Sequence, residues 1–281
     1  MKYVLLACAV ALGAHDASAA HAKPEAKKPE AKKHPKGWPL PAAGPTASGD
    51  PELIFTFDDG PNPKTTPAVL DALAKHHIHA IFFMVGEMAA NKQSAELIDR
   101  IVREGHIVAN HTMTHQDLCR IKDDERASRE IDEAKATIEG VSHLITAWFR
   151  TPYGVRCERV EAMLAERHLD HFHWDLDPQE WKHGNAKKAV DYVEKQVDKM
   201  TGRNVLLMHD IKKATVEALP EILDWIDAEN ARRKEAHKRR IRIIQGYELA
   251  AERLPAGELE LLTDAAGTPA RLAASLASIL P

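Results

Sequence analysis

The sequence predicts an α/β fold in which parallel strands roll into a barrel. Three observations point there. Strand-like and helix-like runs alternate seven times between residues 53 and 244, and such alternation argues for parallel strands joined by helical crossovers. The first run, Leu53-Ile54-Phe55, is uniformly apolar and reads as a buried strand. Seven strands within about two hundred residues suit a barrel closed one unit short of the usual eight.

Strands are expected over 53–57, 80–85, 106–110, 147–150, 170–176, 205–208 and 241–244. The first helix is capped by Thr65 or Thr66, carries Pro67 at its start and shows an apolar face of Val69, Leu70 and Leu73. A second helix spans 94–103 and is closed by Gly105. The next covers 124–139, with Ile131, Ala134 and Ile138 at helical spacing, and another covers 158–167. A helix over 187–200 runs through Val190, Val193 and Val197, and Pro220 opens one through Ile222, Leu223 and Ile226. After Gly246 the pattern loosens. Helices over 247–254 and 271–280 would form a cap, since 247–281 is too short for a separate domain.

Of the 281 residues, 44% are hydrophobic and 28% charged, and the formal charge of −4 gives no reason to expect nucleic-acid binding. Lys2, the apolar run from Val4 to Leu12 and Ala17-Ser18-Ala19 read as a signal peptide over 1–19, so the chain is expected to be exported, periplasmic or secreted. That run is too short to span a bilayer, and no transmembrane segment is expected in the mature chain. Residues 20–50 read as an extended Lys/Pro-rich tether that buries no core. Within it Lys23, Lys27, Lys28, Lys32, Lys33 and Lys36 face only Glu25 and Glu30. A plain spacer is the first reading, and contact with an anionic cell envelope is the second. Residues 51–246 form the barrel domain.

The chain is organised around Phe55-Thr56-Phe57-Asp58-Asp59-Gly60-Pro61, where two carboxylates stand at the end of a strand. Alone, Asp-Asp-Gly reads first as a solvated turn. In a parallel barrel, however, reactive residues gather at the C-terminal ends of strands, and those ends carry Asp58-Asp59, His111, Arg150, Asp177 and His209. Strand parity puts Thr56 with Asp58, Ala109 with His111, Trp148 with Arg150, and Leu207 with His209 on common faces. His111-Thr-Met-Thr-His115, taken as one helical turn, would let two imidazoles converge. Among 16 histidines that spacing is weak by itself. Beside Asp-Asp it makes an Asp-His-His set that suits zinc with open positions.

Five segments, Thr56-Phe57-Asp58-Asp59-Gly60, His111 to His115, Arg150-Thr-Pro152-Tyr153, Asp177-Pro-Gln-Glu180-Trp181 and Leu207-Met-His209, resemble in order the motifs of the polysaccharide deacetylase family. This is the NodB-type domain of carbohydrate esterase family four. The resemblance covers about 51–246 and implies a distorted (β/α)7 barrel that removes acetyl groups from N-acetylated sugars with one divalent metal, zinc or cobalt. It implies Asp59, His111 and His115 as metal ligands, Asp58 as general base, Arg150 as its holder and His209 as general acid. The Tyr153 backbone N–H would stabilise the oxyanion, and Pro152, Tyr153, Trp181 and Leu207 would meet the substrate. The family's fourth motif usually ends Asp-Trp, whereas this chain has Glu180-Trp181. Either Glu180 or Asp177 is therefore left to tune His209. The expected substrate is an N-acetylglucosamine-containing polymer or oligomer such as peptidoglycan, chitin or poly-N-acetylglucosamine. The rivals are an O-deacetylase of acetylated xylan and a glycan-binding protein with decayed catalysis.

His171, His173 and Asp175 share parity with Asp177 and read as a polar network before substrate contacts. His76, His77 and His79 read as a solvated helix end. If the resemblance holds, Cys119 and Cys157 follow two motifs that share one pocket, and either a disulfide or two separate buried thiols fits.

Overall fold

The computed structural model describes residues 50–253. The expected signal peptide, the tether up to residue 49 and the expected helix over 271–280 lie outside them. β1 (Glu52–Asp58) is buried along its whole length. α1 (Thr66–Lys75) starts after Thr65 with Pro67 in its first turn, where an absent N–H costs nothing. β2 (Ile81–Met84), a single turn α2 (Gly86–Ala89), α3 (Ala95–Arg103) and β3 (Ile107–Asn110) follow. α4 (Asp124–Ser142) is capped by Asp123, whose side chain accepts from the Glu125 and Arg126 N–H groups. Next come β4 (Trp148–Phe149), α5 (Glu158–Glu166), β5 (Asp170–His171), a short α6 (Glu180–His183) and α7 (Ala186–Val197). β6 (Arg203–His209), α8 (Lys213–Glu235), β7 (Arg242–Ile243) and α9 (Gly246–Arg253) complete the described chain.

All pairings are parallel, in the order β5-β4-β3-β2-β1-β6. β7 does not extend this path. It pairs with Glu52 and Leu53 at the foot of β1, while β2 pairs with Thr56–Asp58 above it. The expected strand over 170–176 is likewise split. It leaves β4 after the Phe172 N–H bond to Phe149 O, then meets β6 through a bridge between Leu176 and Leu206. The result is a curled parallel sheet, a distorted barrel.

Alternation along the strands separates two apolar layers. Ile54, Phe83, Ala109, Trp148, Phe172 and Val205 fill the lumen. Phe55, Phe57, Phe82, Val108, Leu206 and Met208 meet the helices outside. Leu249 and Ala250 of α9 join the lumen set, so this helix packs into the barrel itself. Pro220 does not open a helix, because α8 begins at Lys213 and carries the proline inside it. Burial of Ala218, Leu219, Ile222, Leu223 and Ile226 against the outer layer offsets a backbone penalty of about 3 kcal/mol. His76 is not solvated either. Its Nδ1 lies 2.8 Å from Asp227 Oδ2, tying the end of α1 to α8.

Candidate active site

β1 delivers Asp58 and Asp59 to the C-terminal rim, and β3 delivers His111. His115 Nε2 lies 3.0 Å from Asp59 Oδ1, and His111 Nε2 lies 3.5 Å from the same oxygen. One ligand atom from each of the three residues falls within 4.8 Å of the others, so together they can hold a metal ion. The imidazoles do not converge on a helical turn, as the spacing suggested. Residues 111–115 form a loop in which Thr112 (φ 67°) and His115 (φ 59°) are left-handed. Asp59 is left-handed too, at φ 76°. Such backbone costs on the order of 1–3 kcal/mol per residue and persists only where the surroundings impose it.

Those surroundings are visible. Asn110 Oδ1 accepts from the Thr112 N–H, and its Nδ2 donates to Ile131 O on α4. Glu130, also on α4, accepts from Thr114 N at 2.8 Å and from Thr114 Oγ1 at 2.6 Å. The Met113 N–H donates to Glu130 O. His111 Nδ1 is 2.7 Å from Arg150 O, which turns Nε2 toward Asp59. Burial by itself would raise the Asp59 pKa, but the His111 and His115 imidazoles outweigh it and hold the carboxyl well below its ordinary value.

Arg150 has no exposed surface. Its Nη1 donates to Asp58 Oδ1 at 2.6 Å and to Thr56 Oγ1 at 2.9 Å, and its Nε and Nη2 donate to Phe172 O and His173 O. The guanidinium stands 4.0 Å from the centre of the Phe83 ring. Asp58 therefore presents Oδ2 toward the histidines, 3.7 Å from His111 Nε2.

Facing this group, His209 at the end of β6 places Nδ1 2.8 Å from Glu180 Oε1. Glu180, not Asp177, is thus the hydrogen-bond partner of His209. Asp177 Oδ1 instead accepts from the Gln179 N–H and from Trp181 Nε1, and burial raises its pKa. Asp177 thereby braces the turn that leads into α6. Burial pulls His209 down, but the Glu180 hydrogen bond and the Asp59 and Asp58 charges raise its pKa overall. The Trp181 ring lies 6.2 Å from that of His209. Leu207 is buried on the His209 face of β6. Pro152 is buried, and Tyr153 (φ 62°) packs its ring edgewise on His115 at 4.8 Å. His171, between Thr151 Oγ1 and Glu161 Oε1, forms the polar network expected of it.

Several residues of the rim are not apparent from the sequence motifs. Thr66 Oγ1 donates to Asp210 Oδ2 at 2.5 Å and accepts from the Asn62 N–H. A Cβ on Gly60 would stand 2.1 Å from Asp210 Oδ2, so the Asp-Asp-Gly turn closes directly on this carboxyl. Burial pushes the Asp210 pKa up to about 7. Its place next to His209 was a usable signal. Glu130 gave none, because only folding brings α4 against the histidine loop. Cys119 and Cys157 form a disulfide with a Cα–Cα distance of 6.0 Å.

This site and fold have known counterparts. Residues 46–171 match the polysaccharide deacetylase family. A chitooligosaccharide deacetylase of Bradyrhizobium sp. (strain ANU 289) is 39% identical over 164 residues, covering 58% of this chain and 72% of the relative. The chain belongs to the polysaccharide deacetylase family. The peptidoglycan-N-acetylmuramic acid deacetylase PdaC of Bacillus subtilis is 36% identical over 171 residues, 61% of this chain and 35% of PdaC. The solved structure of PdaC superposes with a TM-score of 0.61 at 29% identity, covering 75% of this chain and 96% of that one.

Proposed function

We propose that this chain is a metal-dependent hydrolase that removes acetyl groups from N-acetylglucosamine-containing polysaccharide and releases acetate. The observation that carries this reading is the convergence of the Asp59-His111-His115 set with the Asp58–Arg150 and His209–Glu180 pairs on one rim. The residues fit a metal. Asp59 Oδ1 is buried without a well-formed hydrogen bond, although two imidazole nitrogens stand close to it. One carboxylate and two imidazoles form a set that zinc accepts with positions left open, cobalt being a natural substitute.

A bound divalent ion would supply Lewis acidity and water with a pKa lowered to roughly 7. The remaining work falls to side chains. Arg150 fixes Asp58 through a charge-assisted hydrogen bond, leaving Oδ2 to accept the proton of the attacking water. An amide nitrogen leaves only when protonated, and His209, its pKa raised by Glu180, is the donor. The Tyr153 N–H would stabilise the tetrahedral oxygen, a contribution of roughly 3 kcal/mol. Pro152, Trp181 and Leu207 would wall the acetyl pocket.

The developed His209–Glu180 acid favours amide over ester cleavage, because an activated or alkoxide leaving group needs proton donation less. The test is acetate release from chitooligosaccharides, purified peptidoglycan and acetylxylan, before and after chelation and with zinc or cobalt restored. Release from acetylxylan alone transfers the reading to O-deacetylation. Full activity in metal-free Asp59→Ala protein refutes the metal role. We further propose export to the periplasm or medium, which an intact residue 1–19 segment on the mature protein would contradict.

A further inference from the structure

The turn that carries Tyr153 is strained, and its neighbours must hold it. Tyr153 is left-handed at φ 62° and Gly154 at φ 64°. Left-handed backbone is costly for a residue other than glycine and persists only where the surroundings impose it. Two contacts come from outside the turn. Tyr153 Oη donates to His115 O at 3.4 Å. Gly154 lies against Trp174, where an added Cβ would stand 2.5 Å from Cη2. A third contact spans the turn itself: the Thr151 hydroxyl donates to Val155 O at 2.7 Å. Thr151 has no exposed surface.

That hydroxyl also lies 3.0 Å from His171 Nε2. It has one hydrogen and cannot donate to both acceptors. The choice is set on the far side of the ring. His171 Nδ1 lies 2.7 Å from Glu161 Oε1, and Arg156 Nε donates to the same oxygen at 2.8 Å. Burial alone would raise the Glu161 pKa, but the His171 and Arg156 hydrogen bonds outweigh it and bring the value to about 2. Glu161 is therefore a carboxylate that can only accept, and His171 Nδ1 carries a hydrogen in either charge state. The neutral ring has a bare Nε2, which takes the Thr151 hydrogen. The imidazolium has a hydrogen on Nε2 as well. It donates that hydrogen to the Thr151 oxygen and frees the hydroxyl to donate to Val155 O. The ring is buried. Glu161, Arg156 and Arg150 are the charges that act on it, the His173 ring stands 4.5 Å away, and the neighbouring Asp170 carboxylate lies 3.8 Å from Arg253. Burial lowers the His171 pKa and Glu161 offsets this only in part. The change of partner therefore falls below the ordinary histidine value of about 6.5.

We propose that Thr151 is a positioning residue of the oxyanion turn, and that its hydroxyl moves from His171 Nε2 to Val155 O when His171 gains a proton. Bonded to Val155 O, the hydroxyl closes residues 151–155 into a ring around the left-handed Tyr153. Bonded to His171, it leaves the turn to its other contacts. The catalytic part of this role rests on the proposed use of the Tyr153 N–H, whereas the change of hydroxyl partner does not.

The test uses the full chain loaded with zinc and has two readouts. The first is the Arg156 amide nitrogen in NMR, which shares a peptide bond with Val155 O. In wild type it should shift as pH falls through the His171 titration. In Thr151→Val, which keeps the shape of the side chain and lacks the hydroxyl, it should stay still. Glu161→Gln keeps the hydroxyl but removes the charge that favours the imidazolium, so the transition should move to lower pH. The second readout is acetate release from chitooligosaccharide. Thr151→Val should lower kcat about tenfold with KM unchanged, a share of the roughly 10²–10³-fold that one oxyanion donor contributes. Thr151→Ser should restore kcat. An Arg156 resonance that does not shift in wild type overturns the proposal. A shift of equal size in Thr151→Val also overturns it, since ring charge alone would then be responsible. Failure of Thr151→Ser to restore kcat overturns the positioning role. Wild-type protein that releases no acetate from any glycan overturns the proposed activity instead, and the resonance still decides the change of partner.

Discussion

The two ends of this sheet use charge in opposite ways. At the C-terminal rim Arg150, Asp58, Glu180 and His209 are buried, and each charge is held by a named partner. At the strand-start end Lys238 and Arg240 are exposed on a loop fixed by its backbone. Removing one member of a buried pair strands the other in a low dielectric, whereas an exposed cation always has water as its alternative. Rim substitutions should therefore cost stability and turnover together. Substitutions of these exposed cations should leave both nearly untouched.

The largest effect expected is at Asp58 and Arg150. Asp58→Asn keeps the shape and the Asp59-His111-His115 set, so metal should still bind while turnover falls on the order of 10²–10⁴-fold. Arg150→Met leaves Asp58 buried and unpaired and should cost about 3–5 kcal/mol in denaturant unfolding. Arg150→Met/Asp58→Asn should recover much of that loss, while Arg240→Ala stays within about 0.5 kcal/mol of wild type. If Arg150→Met were as mild as Arg240→Ala, the contrast between the two ends would collapse.

The next effect belongs to the covalent brace of the rim. Cys119 and Cys157 are 38 residues apart in sequence, and closing such a loop stabilises by about 4 kcal/mol in the chain-entropy model. Cys119→Ser/Cys157→Ser should lower the unfolding midpoint by up to that equivalent. It should also loosen the loops bearing His115 and Tyr153, which would raise KM. An unchanged midpoint under reducing conditions would show that the surrounding apolar cluster of Leu118, Phe149 and Val160 suffices.

These residues also show how far the sequence is legible. Strands β1, β2, β3 and β6 announce themselves because both faces are buried, and the ends of β1, β3 and β6 carry site residues. β5 is less legible. Its apolar and polar parity continues to Leu176, but pairing switches from β4 to β6 partway, and no local pattern encodes a change of partner. Pro220 misleads for a similar reason, since tertiary burial overrides its local preference. The Asp-His-His set is readable from residue type and order. The loop that makes it converge is not, because left-handed Thr112 and His115 depend on Asn110 and on Glu130 from a distant helix. That His209 bonds to Glu180 and not to Asp177 depends on where α6 stands.

A smaller effect is expected at Gly60. Its added Cβ would meet Asp210 Oδ2, and overpacking of this kind costs about 1–3 kcal/mol. Gly60→Ala should weaken zinc binding in equilibrium dialysis, because the turn that carries Asp59 must shift. Gly60→Ala/Asp210→Ala opens the space and should restore affinity in part. Affinity unaltered in Gly60→Ala would mean that the turn does not position its neighbouring ligand.

The smallest change in magnitude separates proton donation from packing. Burial lowers the His209 pKa, and the Glu180 hydrogen bond and charge together with the Asp59 and Asp58 charges outweigh it, leaving the folded value above the ordinary one. A raised histidine pKa stabilises the fold fully below its unfolded value of about 6.5, and that contribution fades as pH rises through the folded value. The same protonated form is the one that donates to the leaving nitrogen. Glu180→Gln keeps the size and one hydrogen bond but removes the charge, so burial then dominates and the His209 pKa falls. The alkaline limb of kcat/KM on an N-acetyl substrate should move to lower pH by about one unit, roughly tenfold in rate at the pH of the wild-type limb. On an activated ester, whose leaving group needs no proton, the limb should barely move. A shift of equal size on both substrates would assign Glu180 to the fold of the rim instead of to the acid.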